Sequence, residues 1–193
     1  MKSICVFCGS NVGAQPAYRQ AAVELGMLIA QKGIRLVYGG GNVGLMGVIA
    51  STVLEHGGQV TGVIPTFLNR KEVGNLGDTE HIEVETMHQR KQIMADRSDG
   101  FIAMPGGMGT MEEMFEVLTW GQLGLHAKPF GLLNVEGYYD QLVGFMDHMV
   151  KEQFLHHKNR SMVLEDSQPL QLLAKMENWQ APDVQKWIDR QFT

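Results

Sequence analysis

Short apolar runs alternate along this chain with longer stretches whose apolar residues recur at helical spacing. Residues 3–8 (SICVFC) form a run that predicts a buried strand, closed by the turn Gly9-Ser10-Asn11-Val12-Gly13. Residues 16–31 place Tyr18, Ala22, Leu25, Leu28 and Ile29 on one helical face, and Gly33 stops the pattern. A second strand over 34–38 leads into Gly39-Gly40-Gly41-Asn42-Val43-Gly44, then a helix over 45–55 closed by Gly57-Gly58. A third strand over 59–64 ends at Pro65, and 66–79 is a polar stretch long enough to suggest a functional loop. Beyond it the pattern predicts a short strand over 81–84, a helix over 87–96 and a strand over 100–104. A helix then runs to about 123, followed by a strand over 129–135 and a helix over 138–151. A short strand over 162–164 and two C-terminal helices complete the chain.

Strands alternating with helices predict a parallel sheet, and strands without polar alternation predict a sheet covered on both faces. The expected fold is a doubly wound, Rossmann-like α/β domain spanning 1–193. Its ligands would gather at the carboxyl ends of the strands, where both glycine clusters fall. No apolar run approaches the ~18 residues of a membrane span. The N-terminus lacks the length of a secretory signal peptide, so a cytoplasmic protein is expected. A net charge of −5 argues against a broad nucleic-acid surface. It leaves room for a small anion held by backbone amides. Glycine is the compositional outlier, 23 of 193 residues against roughly 7% in average proteins.

Cys5 and Cys8 form a C-x-x-C, but positions three apart in a strand face opposite sides, so a structural pair is favoured over a redox pair. The histidines show no metal-binding spacing, and the adjacent His156 and His157 read as surface. Trp120, Leu123 and Leu125 are open to either a core or a dimer-interface reading.

The cluster Gly39–Gly44 matches G-x-G-x-x-G, but it follows the second strand, and Val63-Ile64-Pro65 stands where a ribose-binding acid should be. Close helix–sheet packing and a wall of backbone amides remain as alternatives to a dinucleotide site. Pro105-Gly106-Gly107-Met108-Gly109-Thr110 joins a strand to a helix without the Lys of a Walker loop, and suits a monophosphate. Thr110 and Glu113 have capping-box spacing; the alternative places the Glu113 carboxylate beside the anion cradle as a catalytic group. Arg90 and Lys91 read either as a solvated basic stretch or as a guanidinium turned into the cleft beside its neighbour.

Taken together, these motifs resemble the LOG ("Lonely guy") family. Pro105-Gly106-Gly107-Met108-Gly109-Thr110-Met111-Glu112-Glu113 is similar to its P-G-G-x-G-T-x-x-E signature, and Met87-His88-Gln89-Arg90-Lys91 to its M-H-x-R-K segment. Cys8-Gly9-Ser10, Gly44-Leu45-Met46-Gly47 and the 132–139 stretch LLNVEGYY also resemble it. The resemblance implies a homodimeric enzyme that hydrolyses the N-glycosidic bond of nucleoside 5′-monophosphates, including AMP and cytokinin riboside 5′-monophosphates. It implies no cofactor and no metal; the older label of lysine decarboxylase has no matching pyridoxal-phosphate lysine here. Arg90 and Glu113 would be catalytic. Gly107, Met108, Gly109 and Thr110 would bind phosphate, with Ser10 a further candidate. Lys91, Thr119, Glu72, Met87, Met111 and Glu112 would line the substrate. A non-catalytic nucleotide or cofactor carrier on the same fold is the main alternative, and an NAD-dependent oxidoreductase the weaker one.

Overall fold

The computed structural model describes residues 1–68 and 79–182. The strands are β1 (Ser3–Phe7), β2 (Arg35–Tyr38), β3 (Val60–Pro65), β4 (Glu80–Val84), β5 (Phe101–Ala103), β6 (Phe130–Leu133) and β7 (Val163–Asp166). They form one sheet in the order β4-β3-β2-β1-β5-β6-β7, and every pairing is parallel. The chain therefore winds outward from β1 to β4, returns to the centre as β5, and winds outward again. The reversal leaves the carboxyl ends of β1 and β5 side by side, which is where an open parallel sheet receives a ligand.

Seven helices accompany the sheet among the described residues: α1 (Pro16–Gln31), α2 (Gly44–Glu55), α3 (Met87–Asp96), α4 (Met108–Gln122), α5 (Asp140–Lys151), α6 (His157–Arg160) and α7 (Pro169–Glu177). Alternate strand residues point to opposite faces. Ile4, Val6 and Cys8 join one core with Leu25 and Ile29 of α1, Ile49 and Val53 of α2, and Leu172 of α7. Cys5 and Phe7 join the other with Met94 of α3, Met114 and Val117 of α4, and Met146 of α5. The two cysteines thus lie on opposite faces, both free and buried. Burial drives both thiols above their ordinary range, so they stay protonated and act as small apolar residues.

Helices α1 and α3 have the bounds that the sequence pattern predicts. Strand ends differ by one or two residues, the ordinary uncertainty of element termini. The predicted helix over 138–151 begins instead at Asp140, after a 3-10 turn over Val135–Gly137. The short helix α6 has no counterpart in the predicted pattern, because four polar residues carry no periodicity. Most of the loop predicted over 66–79, and the last predicted helix, lie outside the described residues.

The turn after α4 depends on a neutral histidine. His126 Nε2 donates to the Val117 carbonyl at 2.8 Å, and Nδ1 accepts the Lys128 amide at 3.2 Å. Burial, together with the nearby Lys128 charge, lowers the His126 pKa below 6.5 despite the Val117 hydrogen bond. An unfolded chain would take up that proton first. Its stabilising contribution is complete above pH 6.5 and is lost as pH falls below it. The thermal midpoint is expected to drop between pH 6.5 and 5, and to drop less in His126→Gln, followed by calorimetry across that range.

Candidate active site

Helix α3 starts where it does because Thr86 caps it. The Thr86 hydroxyl accepts the Gln89 amide at 3.1 Å, and the Gln89 side chain accepts the Thr86 amide at 3.2 Å. This reciprocal capping box fixes the first turn and so the azimuth of Arg90. Arg90 runs inward to the carboxyl ends of β2 and β3. Its Nε donates to the Val63 carbonyl at 3.1 Å, and Nη1 donates to Glu113 Oε1 at 2.6 Å. Both side chains are only 10% exposed. A Cβ placed on Gly39 would lie 1.9 Å from Arg90 Nη2, so the guanidinium occupies space that only glycine leaves open.

The capping box expected at Thr110 and Glu113 does not form. Gly107 is the N-cap of α4, Thr110 is the third residue of that helix, and no side chain caps its start. Glu113 lies in the second turn, where its carboxylate meets a buried guanidinium instead of a backbone amide. A charge-assisted bond to Arg is roughly twice as strong as a neutral hydrogen bond. Burial raises the Glu113 carboxyl above its ordinary range, and the Arg90 charge and hydrogen bond offset part of that rise.

Because nothing caps α4, the amides at its start are available. Gly107, Met108, Gly109 and Thr110 offer N–H groups with no hydrogen-bond partner among the described residues. Gly107 and Gly109 do not adopt positive φ, and a Cβ on either would meet nothing within 4 Å. Neither backbone conformation nor internal packing therefore requires glycine there. What the missing side chains provide is close access to the amides from outside, at the positive end of a helix dipole. Side chains on a helix tilt toward its N-terminus, so Glu113 overhangs the turn that carries these amides.

The first glycine cluster is different. Gly44 has φ +59, and a Cβ on it would lie 2.2 Å from the Ser10 carbonyl carbon; one on Gly47 would lie 2.2 Å from the Asn42 carbonyl oxygen. Gly44 lets the β1 and β2 loops pack against each other, and Gly47 lets α2 close onto its own leading loop, in line with the close-packing reading. The Leu45 amide donates to the Gly9 carbonyl at 3.0 Å and ties the loops together. A cavity of about 270 Å³ opens at the β1 and β5 ends, lined by Ser10, Tyr18, Leu45, Gly106, Gly107 and Tyr138.

The remaining predicted residues are dispersed. Ser10 is exposed on the cavity wall, and Met87 stands exposed at the start of α3. Met108 is 88% exposed on the outer rim of the cradle, while Met111 packs against the core on the α4 side. Lys91 is buried and is bonded to Glu112 and to Glu116, the latter at 3.0 Å. Burial lowers the Lys91 pKa, but its hydrogen bonds to the two glutamates, with their negative charge, outweigh it and the net shift is upward. Thr119 is exposed farther along α4, beside a groove shared with Met146 and Met149 of α5. Glu72 lies outside the described residues. Sequence reasoning missed Gly39 and the Val63 carbonyl as the seat of Arg90. No local signal marks a carbonyl used from 27 residues away.

Residues 46–176 match a family model described as "Possible lysine decarboxylase". A rice protein named "Probable cytokinin riboside 5'-monophosphate phosphoribohydrolase LOGL9" is 49% identical over 178 residues, 92% of this chain and 78% of that one. The Arabidopsis thaliana "Cytokinin riboside 5'-monophosphate phosphoribohydrolase LOG1" is 48% identical, covering 92% of this chain and 84% of its own. Among solved structures, the molybdenum cofactor binding protein of Rippkaea orientalis superposes with a TM-score of 0.70. It is 26% identical and covers 92% of this chain and 96% of its own. The molybdenum cofactor carrier protein of Chlamydomonas reinhardtii, at 22% identity and a TM-score of 0.68, covers 91% of this chain and 95% of its own and shares the fold. With a family model across more than half its length and relatives near half identity over nine-tenths of it, the chain belongs to the LOG family.

Proposed function

We propose that this protein hydrolyses the N-glycosidic bond of nucleoside 5′-monophosphates, AMP and cytokinin riboside 5′-monophosphates among them, releasing free base and ribose 5-phosphate. One observation carries the reading. A buried Arg90–Glu113 pair lies one helical turn from four unpartnered amides whose glycines have no internal reason to be glycine. The amides of residues 107–110 suit the phosphate, and this remote anchor converts binding energy into positioning of C1′. Breaking the C1′–N bond builds positive charge on C1′ and the ring oxygen, as in glycoside hydrolysis. The Glu113 carboxylate is placed to stabilise that charge and to orient water. Overall, the hydroxyl of water ends on C1′ and its proton on the departing base. Arg90 holds the carboxylate in place and keeps more of it ionised than burial alone would allow.

The molybdenum cofactor binding protein of similar fold keeps a carrier reading open. A carrier has no need of a buried carboxylate beside the anion site. Incubation with AMP and chromatography separate the two: adenine appears for a hydrolase, and intact bound AMP for a carrier. We also propose that the protein acts as a homodimer in the cytoplasm, with the apolar groove between α4 and α5 at Phe115, Leu118 and Met149 as its seam. Light scattering should give twice the chain mass; a monomer at micromolar concentration would contradict this.

Glu113→Gln is expected to keep its fold and lose at least ~10²-fold in kcat, the usual effect of removing one charge-stabilising group. Near wild-type turnover would reduce Glu113 to a structural role. Because the carboxyl is raised and must be ionised to act, the acid limb of kcat should lie above pH 4.5. Gly39→Ala forces the guanidinium off its seat. Turnover should fall about 10–10²-fold, since small misplacements at a reacting centre are costly. The acid limb should also move to higher pH as Arg90 loses its grip on Glu113. An unchanged pH profile would show that Arg90 does not need that seat.

A further inference from the structure

The loop that presents the phosphate amides is the softest part of the site by composition. Residue 106 has to be glycine, because a Cβ there would lie 2.1 Å from Thr110 Oγ1 and 2.8 Å from the Gly9 amide nitrogen. Gly107 follows it, so two residues with wide backbone freedom stand just before the helix. The amide direction must be fixed by something other than their own side chains. Two adjacent tyrosines from the β6–α5 connection supply this. Tyr139 donates its hydroxyl proton to the Met104 carbonyl at 2.7 Å, and Tyr138 donates to the Gly106 carbonyl at 2.5 Å.

The tyrosines are themselves anchored. The Tyr139 amide donates to Asn134 Oδ1 at 2.7 Å, and the Asn134 amide group donates to Asp140 Oδ1 at 2.7 Å. The Tyr138 ring meets Tyr18 and Tyr139 edge-on, with centroids 5.8 and 5.0 Å away. The consequence follows from peptide geometry. None of the peptide bonds described is cis. In a trans peptide the carbonyl of residue 106 and the N–H of residue 107 point in opposite directions from one rigid plane. Holding the Gly106 carbonyl toward Tyr138 therefore turns the Gly107 N–H the other way.

We propose that Tyr138 is a positioning residue for phosphate: its hydroxyl fixes the Gly106–Gly107 peptide plane so that the Gly107 amide faces the anion. This rests on reading residues 107–110 as the phosphate site. Nothing in the role requires the hydroxyl to touch the reacting atoms, so the effect belongs to binding of the phosphate and not to the bond-breaking step.

Tyr138→Phe keeps the ring and removes only the tether, which makes it the test. Ribose 5-phosphate binding, measured by calorimetry, should weaken about five- to tenfold, the effect of one ordinary hydrogen bond. KM for AMP should rise by a similar factor with kcat nearly constant, while kcat/KM for adenosine, which lacks the phosphate, stays unchanged. In ligand-free protein, the Gly106 and Gly107 amide resonances should show exchange broadening absent from the wild type. Unaltered affinity for ribose 5-phosphate in Tyr138→Phe would overturn the proposal. So would an equal loss toward adenosine and AMP, which would place the hydroxyl on the nucleoside. Failure of the wild-type protein to bind ribose 5-phosphate would overturn the phosphate site itself, and this proposal with it.

Discussion

The ion pair between Arg90 and Glu113 is the constraint from which the rest of the site follows. Both charges are withdrawn from water, which costs several kcal/mol per ion, and apolar residues of similar volume are often as stable in such a place or more so. Stability therefore does not account for the pair; the proposed chemistry would. The structure maintains it from several directions at once. A capping box sets the start of α3, the Val63 carbonyl takes one guanidinium nitrogen, and Gly39 makes room for another. Lys91, the next residue on α3, reaches the neighbouring turns of α4 through Glu112 and Glu116. The two helices are thus joined by parallel ionic struts, and the start of α4 is held beside the sheet where its amides can meet an anion.

The excess of glycine resolves into distinct kinds of position. Gly44 and Gly47 are demanded by the approach of other backbone, and Gly39 by a side chain. Gly106 is packed from inside. Gly107 and Gly109 alone in the β5–α4 segment face open space, which leaves their amides accessible to an anion. A chain of net charge −5 can hold a phosphate on this footing, because the attraction comes from oriented amides and one helix dipole and not from a basic surface.

Much of this was legible in the sequence. The bounds of α1 and α3 followed from apolar spacing and their stops, and the parallel sheet followed from strands that alternate with helices. The glycine-rich strand-to-helix loop and the Arg90–Glu113 pair were both visible as candidates. What spacing could not decide was which partner wins. Thr110 and Glu113 have the separation of a capping box, yet Glu113 is held from a different helix 23 residues away in sequence. Lys91 adjoins Arg90 on α3 but engages Glu112 and Glu116 on the same facing helix instead of Glu113. The tether from Tyr138 to Gly106 spans 32 residues. Such choices depend on which elements the sheet order makes neighbours, and local pattern does not contain that order.

A crystal structure of Glu113→Gln with AMP bound is the most direct measurement. The phosphate should sit on the amides of residues 107–110, with C1′ within about 3–4 Å of the side chain at 113, the range of a reacting contact. A phosphate seated instead against the 39–44 loop, with C1′ remote from residue 113, would contradict the assignment.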